Sequence, residues 1–375
     1  PPQPQEQQQP PQPQEQQQEN IIETEMPQPE QIQDTDPDKI RNKKLNEIEL
    51  RDRYDLLKPN EYDFLYPSLN DSDFNIKIAE RKEFNDTKYD GSINTDIEKH
   101  SDELCNSEFE LAPHQLFVRN FLSFQTPYNS LLLYHGLGSG KTCSAISVAE
   151  EMRDYMINMG ITSQIMIVAS PNVQINFKIQ LFDERKLKLV NGLWNIRSCT
   201  GNKFLKEINP MNMKGLTKEN VIKQIRKIID TYYYFFGYVE FANYISRKSN
   251  IDDIEIKNET HKNNVIKNKL RKVFNNRLII IDECHNIRIS DDNKDKRVAD
   301  EILKLVKNVN NLRLLLLSGT PMFNSYKEII WLLNIMNIND GRSTIDIKDV
   351  FNKDGTFKVS SSGKEIGKEL LERKS

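Results

Sequence analysis

The sequence predicts an α/β fold built on a mostly parallel, buried β-sheet. From Phe109 onward, short apolar runs alternate with segments whose apolar residues recur at helical spacing, a pattern typical of parallel strands joined by helices. The first apolar run opens directly into a glycine-rich turn and then a helix-like pattern, in "LLLYHGLGSGKTCSAI" at 131–146. The chain of 375 residues is long enough for one large or two ordinary domains.

The elements follow from the spacing of apolar residues. Strands are predicted at 130–135, 164–169, 277–282 and 312–318, and helices at 114–124, 141–158, 172–184, 294–309 and 325–337. In the first helix, Phe117, Phe121 and Phe124 are expected on one face. A long insertion, about 190–275, separates the second and third strands, and its middle, "TYYYFFGYVEFANYI", is apolar enough to be core.

The N-terminal part of the chain has a different composition. Residues 1–18 are a tandem repeat of "PPQPQEQQQ", and a polar, proline-rich segment with almost nothing to bury predicts a disordered tail over 1–45. Residues 46–108 are charged with scattered aromatics and indicate an accessory region that packs on the main domain. The main domain is then 109–345, and 346–375 begin a connection to a second lobe.

Charge and cysteine spacing limit the function classes. The net charge of −3 gives no overall basic signature, so any affinity for nucleic acid must be local. The four cysteines are far apart and lack zinc-ligand spacing, which predicts neither a disulfide framework nor a zinc site and favours a reducing, intracellular compartment. No apolar run reaches the roughly 20 residues that span a bilayer, and no leader opens the chain, so we expect no membrane association.

The turn "HGLGSGKT" at 135–142 has the chemistry of a triphosphate site. Backbone N–H groups of a glycine-rich turn converge on phosphate, and the following helix adds its positive N-terminal end. Lys141 is expected to reach the β and γ phosphates and Thr142 to ligate Mg²⁺, although His135 replaces the usual first glycine. The alternative is a flexible Gly/Ser loop. The residues of the turn expected at the phosphates are Gly136, Gly138, Ser139 and Gly140.

The apolar run "RLIIIDECHNI" at 277–287 ends in two carboxylates. Downstream of a phosphate-binding turn, Asp282 is placed to hold Mg²⁺, and Glu283 to orient and deprotonate the attacking water. Taken alone, an Asp-Glu pair at a strand end is more often a solvated turn or the start of a helix.

These segments together resemble superfamily 2 helicases. "DECH" is similar to their DExH box, and "LRLLLLSGTPMFN" to their motif III, in the same order after the P-loop and "IVASPN" at 167–172. The resemblance implies the first RecA-like lobe of a nucleic-acid-dependent ATPase. It also implies that His285, Ser318 and Thr320 couple nucleotide state to nucleic acid, and that Gln115 contacts adenine. By the same resemblance, one nucleic-acid strand would be contacted by Ser170, Pro171 and Asn172.

A narrower resemblance extends over about residues 60–375. "NSLLLYHGLGSGKTCSAI", "YYYFFGYVEFANYI" and "SGTPMFNSYKEIIWLLNIMN" are similar to helicase-type ATPases of large cytoplasmic DNA viruses, the poxvirus-like early transcription factor small subunit and nucleoside triphosphate phosphohydrolase I. This resemblance implies ATP hydrolysis dependent on DNA in viral transcription, at initiation or at termination. The implied partners are DNA and viral RNA polymerase or transcription factor subunits, in the host cytoplasm or the virion.

One further expectation concerns the rate of ATP hydrolysis. Superfamily 2 enzymes complete the ATP site with arginines of a second lobe, for which the sequence after Ser325 offers no motif, so we expect this chain to bind Mg-ATP and turn it over slowly. The alternatives are an RNA helicase, or a non-catalytic module that ATP switches and that tethers transcription factors. Retention of both Lys141 and Glu283 favours hydrolysis.

Overall fold

The structure is a computed structural model that describes residues 66–89, 91, 95–99, 109–136, 138–251, 258–287, 296–322 and 325–375. The predicted disordered tail at 1–45 lies outside the described residues. Among those residues, no helix is both long enough and apolar enough to cross a bilayer.

The described elements alternate as the sequence predicts. Strands are β1 (Ser130–Tyr134), β2 (Ile165–Val168), β3 (Lys188–Val190), β4 (Leu193–Asn195), β5 (Tyr233–Phe236), β6 (Leu278–Ile281) and β7 (Arg313–Ser318). Helices are α1 (Phe74–Glu80), α2 (Lys82–Asn85), α3 (Pro113–Phe121), α4 (Lys141–Asn158), α5 (Pro171–Leu181), α6 (Lys203–Ile208), α7 (Lys218–Tyr232), α8 (Tyr238–Lys248), α9 (Glu259–Phe274), α10 (Lys296–Asn308), α11 (Lys327–Asn339), α12 (Ile347–Val350) and α13 (Ile366–Lys374). Short 3₁₀ turns lie at Glu184–Lys186 and Cys284–Ile287.

Five strands form one parallel sheet in the order β1-β7-β6-β2-β5. Alternate residues of its strands face two different cores, since successive side chains of a strand point to opposite faces. Ile165, Ile167 and Ile280 belong to the core shared with α3, α4, α5 and α7. Met166 and Ile279 belong to the core shared with α8, α9, α10 and α11. The prediction of an α/β fold with a buried, mostly parallel sheet is therefore confirmed.

The predicted insertion contributes to the main sheet. Its apolar middle includes β5, which pairs with β2 from Ile165↔Tyr233 to Val168↔Phe236 and forms the edge of the five-stranded sheet. Earlier in the segment, β3 and β4 form a separate antiparallel hairpin. The sequence predicted that this middle is core but did not assign it a strand.

The predicted aromatic face of the first helix is correct only in part. The helix ends at Phe121, which is buried, whereas Phe124 lies beyond the end, is 40% exposed and stacks on Tyr155. Phe117 and Phe121 instead meet aromatic residues of the N-terminal accessory region, through Phe84 and Phe74. The described part of that region thus packs on the main domain.

The C-terminal residues form a small helical layer. Ile330, Leu333, Val350 and Phe351 make a separate apolar cluster between α11 and α12, with α13 packed against it. Within 325–375 the structure has three helices and one isolated bridge between Phe351 and Phe357.

The cysteine prediction is wrong for one pair. Cys143, in the first turn of α4, and Cys199, in the turn after β4, are joined by a disulfide, with their Cα atoms 5.1 Å apart. They are 56 residues apart in the sequence, so their spacing could not reveal that folding brings these two segments together. The disulfide links the helix that follows the glycine-rich turn to the 190–275 segment.

A buried ion-pair cluster lies along the same helix. The Arg153 side chain is fully buried and donates to both Glu150 carboxylate oxygens at 2.8–3.0 Å and to Glu207 Oε2 at 2.8 Å. Lys203 and the Tyr233 hydroxyl also contact the Glu150 carboxylate. These contacts join α4 to α6 and to β5, and compensate the cost of burying charge.

Candidate active site

The glycine-rich turn leaves β1 and opens onto the N-terminus of α4. Gly138 and Gly140 have φ of 82° and 77°, a left-handed conformation that glycine adopts without the strain of a Cβ. A Cβ added at Gly136 or Gly138 would meet nothing within 4 Å, so this side of the turn is open. Open space above backbone N–H groups at a helix N-terminus fits a phosphate chain.

Lys141 is folded back into the turn. Its Nζ donates to His135 O at 2.7 Å and approaches Gly136 O at 3.5 Å. Ser139 Oγ also donates to Gly136 O, at 2.9 Å. Burial, followed by the charges of His114 and Lys141, lowers the pKa of His135. The lysine thus lies on the inner side of the turn, where its ammonium group donates to backbone carbonyls. Phosphate oxygens could replace these carbonyls as acceptors.

Gln115 is packed beneath the turn. It is 7% exposed, its Oε1 accepts from Ala112 N at 3.0 Å, and its Nε2 donates to Gly140 O at 3.4 Å. The neighbouring His114 Nε2 is 3.1 Å from Ser139 O, and its Nδ1 is 3.1 Å from the Tyr89 hydroxyl. Helix α3 is therefore attached to the turn at two consecutive residues.

The two carboxylates follow β6, two strands from β1. Asp282 is 7% exposed, and its Oδ1 accepts from Glu283 N at 2.8 Å. Burial raises the pKa of Asp282 to about 6; the Glu283 N–H opposes the rise, the Glu283 charge adds to it and the Lys141 charge opposes it. A buried carboxylate that lacks full compensation fits a site for a divalent cation. Glu283 has φ of 47°, which is uncommon for a residue other than glycine.

His285, Ser318 and Thr320 form a hydrogen-bonded chain next to Glu283. His285 Nδ1 is 3.2 Å from both Glu283 Oε2 and Ser318 Oγ. Ser318 is fully buried at the end of β7, and its Oγ accepts from Thr320 N at 3.0 Å. The strand order places β7 between β1 and β6. The hydrogen bonds among His285, Ser318 and Thr320 therefore lie between the glycine-rich turn after β1 and the two carboxylates after β6.

Ser170, Pro171 and Asn172 begin α5 after β2, at the same edge of the sheet. Ser170 is the N-cap and Pro171 the first helical residue, and both Pro171 and Asn172 are exposed. They are close to the carboxylates through β2, because Asp282 N donates to Val168 O at 3.0 Å.

Sequence patterns assign no individual role to three residues at this edge. The Tyr238 hydroxyl donates to Asp282 O at 2.9 Å, and Asn286 Nδ2 donates to that hydroxyl at 3.3 Å. A Cβ added at Gly319 would lie 3.4 Å from Lys141 Nζ, so this glycine lets the lysine approach β7. The signal for Tyr238 was its place directly after an apolar run and a glycine, the pattern of a strand end.

Comparison with known proteins gives the family. The profile of the SNF2-related domain matches residues 114–373, from the first turn of α3 to the last turn of α13. The chain belongs to the SNF2-related domain family. This family is a branch of the RecA-like helicase ATPases and uses ATP, so the resemblance to superfamily 2 is confirmed.

Relatives of this SNF2-related domain come from large DNA viruses. It is 28% identical over 288 residues to "Putative helicase 087L" of Invertebrate iridescent virus 3, covering 74% of this chain and 24% of the relative. It is 26% identical to "Putative ATP-dependent RNA helicase L377" of Acanthamoeba polyphaga mimivirus, covering 72% and 23%. It is 27% identical to "Early transcription factor 70 kDa subunit" of Yaba monkey tumor virus, covering 66% and 29%. The chain therefore spans about a quarter of the length of these relatives.

Among solved structures, the chain is similar to the Sulfolobus solfataricus SWI2/SNF2 ATPase core in complex with dsDNA. The TM-score is 0.39 and the sequence identity 17%, over 72% of this chain and 43% of that chain.

Proposed function

We propose that this SNF2-related domain binds and hydrolyses ATP with Mg²⁺, in response to DNA, as part of a viral transcription ATPase. One observation carries the proposal: the glycine-rich turn, the buried Asp282 and the adjacent Glu283 end strands of one parallel sheet, at the same edge. In open α/β sheets, ligands bind outside the carboxyl ends of the strands.

Lys141, Glu283 and Gln115 would have different roles in ATP binding and phosphoryl transfer. Lys141 would exchange its bond to His135 O for oxygens of the β and γ phosphates and offset their developing charge. Glu283 would orient a water for in-line attack and accept its proton, with its carboxylate held by His285 at 3.2 Å. Gln115, fixed beneath Gly140, is our candidate for contact with adenine.

Thr142 and Asp282 are the residues that would hold Mg²⁺. The ion would neutralise charge on the phosphates and lower the cost of ionising the buried Asp282. Because Asp282 Oδ1 also accepts from Glu283 N, the position of the metal ligand and that of the water-orienting residue are linked.

The nucleic-acid side of the proposal rests on the turn at Ser170, Pro171 and Asn172. These residues offer an exposed helix N-terminus, which suits a phosphate of a nucleic-acid backbone. The name of the Yaba monkey tumor virus relative, an early transcription factor subunit, supports transcription subunits as partners. We propose DNA as the nucleic acid, and the host cytoplasm or the virion as the location.

The test is ATP hydrolysis at high enzyme concentration, without nucleic acid, with duplex DNA and with RNA. We expect slow turnover that DNA stimulates, and loss of at least about a hundredfold in Glu283→Gln with ATP binding retained. Stimulation by RNA alone would favour an RNA helicase, the activity given in the name of the mimivirus relative. ATP binding without turnover under any condition would favour a module that ATP only switches.

A further inference from the structure

The Tyr238 side chain lies where the start of α8, the Ser170 turn and the Asp282–Glu283 peptide approach one another. Tyr238 is the first residue of α8, and Gly237 separates it from the edge strand β5. Because β5 pairs with β2, up to Val168↔Phe236, the start of α8 lies beside the end of β2 and the turn at Ser170. Ala169 N continues this pairing with a hydrogen bond to Phe236 O at 2.9 Å.

The hydroxyl of Tyr238 uses its hydrogen-bonding capacity on these segments. A phenol has one proton to donate and also accepts. It donates to Asp282 O at 2.9 Å and accepts from Asn286 Nδ2 at 3.3 Å. Helix α8 is joined to the Ser170 turn through the hydrogen bond from Ala169 N to Phe236 O, one residue before Ser170 and two residues before Tyr238. Burial raises the pKa of Tyr238 to about 12, which keeps the donated proton in place at neutral pH.

These contacts hold the peptide that joins the two carboxylates. Asp282 O belongs to the peptide bond whose N–H is that of Glu283, and Glu283 has a left-handed backbone with φ of 47°. Asn286 Nδ2 donates to Glu283 O at 3.0 Å as well as to the Tyr238 hydroxyl. A displacement of the Ser170 turn that moves the hydroxyl would therefore move this peptide and turn the Glu283 side chain.

We propose that Tyr238 is a positioning residue that transmits the state of the Ser170–Asn172 turn to the Asp282–Glu283 peptide. The proposal rests on the proposed function, since it assumes that nucleic acid binds at that turn and that Glu283 orients water. It predicts that removing the hydroxyl oxygen of Tyr238 weakens the stimulation of ATP turnover by DNA, while the affinity for ATP stays the same.

The experiment compares wild type, Tyr238→Phe and Tyr244→Phe in the same chain. Tyr244 is the matched control, because it lies in the same helix and its described contacts include ring packing on Tyr234, Phe236 and Phe274 and a cation–π contact with Lys248. For each protein, kcat and KM for ATP are measured with and without a short DNA duplex, together with the ATP dissociation constant and the melting temperature.

We expect Tyr238→Phe to lose about three- to tenfold of the DNA-stimulated kcat, the effect of one lost hydrogen bond, with the ATP dissociation constant within about twofold of wild type. Tyr244→Phe should retain wild-type stimulation. Wild-type stimulation in Tyr238→Phe overturns the inference and leaves the proposed function standing. Equal losses with and without DNA, or a loss of ATP affinity and melting temperature, also overturn it. A wild-type chain that DNA does not stimulate contradicts both proposals.

Discussion

Replacing Asp282 by Asn should stabilise the nucleotide-free protein at neutral pH. Burial raises the pKa of Asp282 from 3.8 to about 6, so ionising this carboxylate costs free energy in the folded state. At about 1.4 kcal/mol for each tenfold change in the ionisation constant, the cost is about 3 kcal/mol. Asn keeps an oxygen that can accept from Glu283 N and carries no charge.

The sign of the effect fixes its pH dependence. A group whose pKa is higher in the folded state binds more protons there, so its contribution to stability is fully present below pH 3.8 and is lost as the pH rises through about 6. The free energy of unfolding of Asp282→Asn minus that of wild type should therefore be near zero around pH 4. It should rise to about 3 kcal/mol above pH 7.

The assay is guanidinium unfolding at several pH values between 4 and 8, with EDTA and without nucleotide. Other buried carboxylates titrate in both proteins, and their effect cancels in the difference. Glu283→Gln is the control for the loss of a nearby negative charge at a more exposed side chain. A difference that does not change with pH, or an Asp282→Asn protein less stable than wild type at pH 7.5, would refute the assignment of buried charge to this site.

Three further variants test other parts of the structure. Gly140→Ala should lower the free energy of unfolding by about 1–2 kcal/mol, because Gly140 has a left-handed backbone. It should also weaken binding of a fluorescent ATP analogue at least about tenfold, because the new Cβ would lie 2.6 Å from the Gln115 side chain, and unchanged affinity would contradict this. Arg153→Met should destabilise the protein by about 3–5 kcal/mol, because the buried Glu150 loses its bidentate partner and keeps only Lys203 and the Tyr233 hydroxyl. Thermal or chemical unfolding measures the loss, and a loss below about 1 kcal/mol would be inconsistent with the buried cluster. Serine at both Cys143 and Cys199 should lower the unfolding free energy by about 4 kcal/mol in oxidising buffer, and the gap to wild type should close with reductant.

The sequence predicted much of the sheet because its strands are continuous apolar runs. Four predicted strands differ from the observed ones by one residue or less at each end, as at 130–135 against Ser130–Tyr134. The fifth strand was missed because "YYFF" lies inside a segment rich in helical patterns, and only its pairing with β2 distinguishes it. Phe124 was predicted on the helix face because its spacing from Phe117 and Phe121 is helical, but the helix ends at Phe121.

The candidate site was predictable where its chemistry is carried by neighbouring residues. Lys141 and Thr142 follow the glycines directly, and Asp282 and Glu283 end one apolar run. Contacts between distant segments were not predictable, because spacing carries no information on them. Tyr238 with Asp282, His114 with Ser139 and the Cys143–Cys199 disulfide are all of this kind.

The most direct test of the central claim is ATP turnover by wild type and Glu283→Gln, each without nucleic acid, with duplex DNA and with RNA. We predict slow turnover by wild type that duplex DNA raises more than RNA does. Glu283→Gln should bind ATP with wild-type affinity and show no stimulated turnover. Wild-type turnover that is insensitive to DNA, or full DNA-stimulated turnover in Glu283→Gln, would contradict the claim that this sheet edge is a DNA-responsive ATPase site.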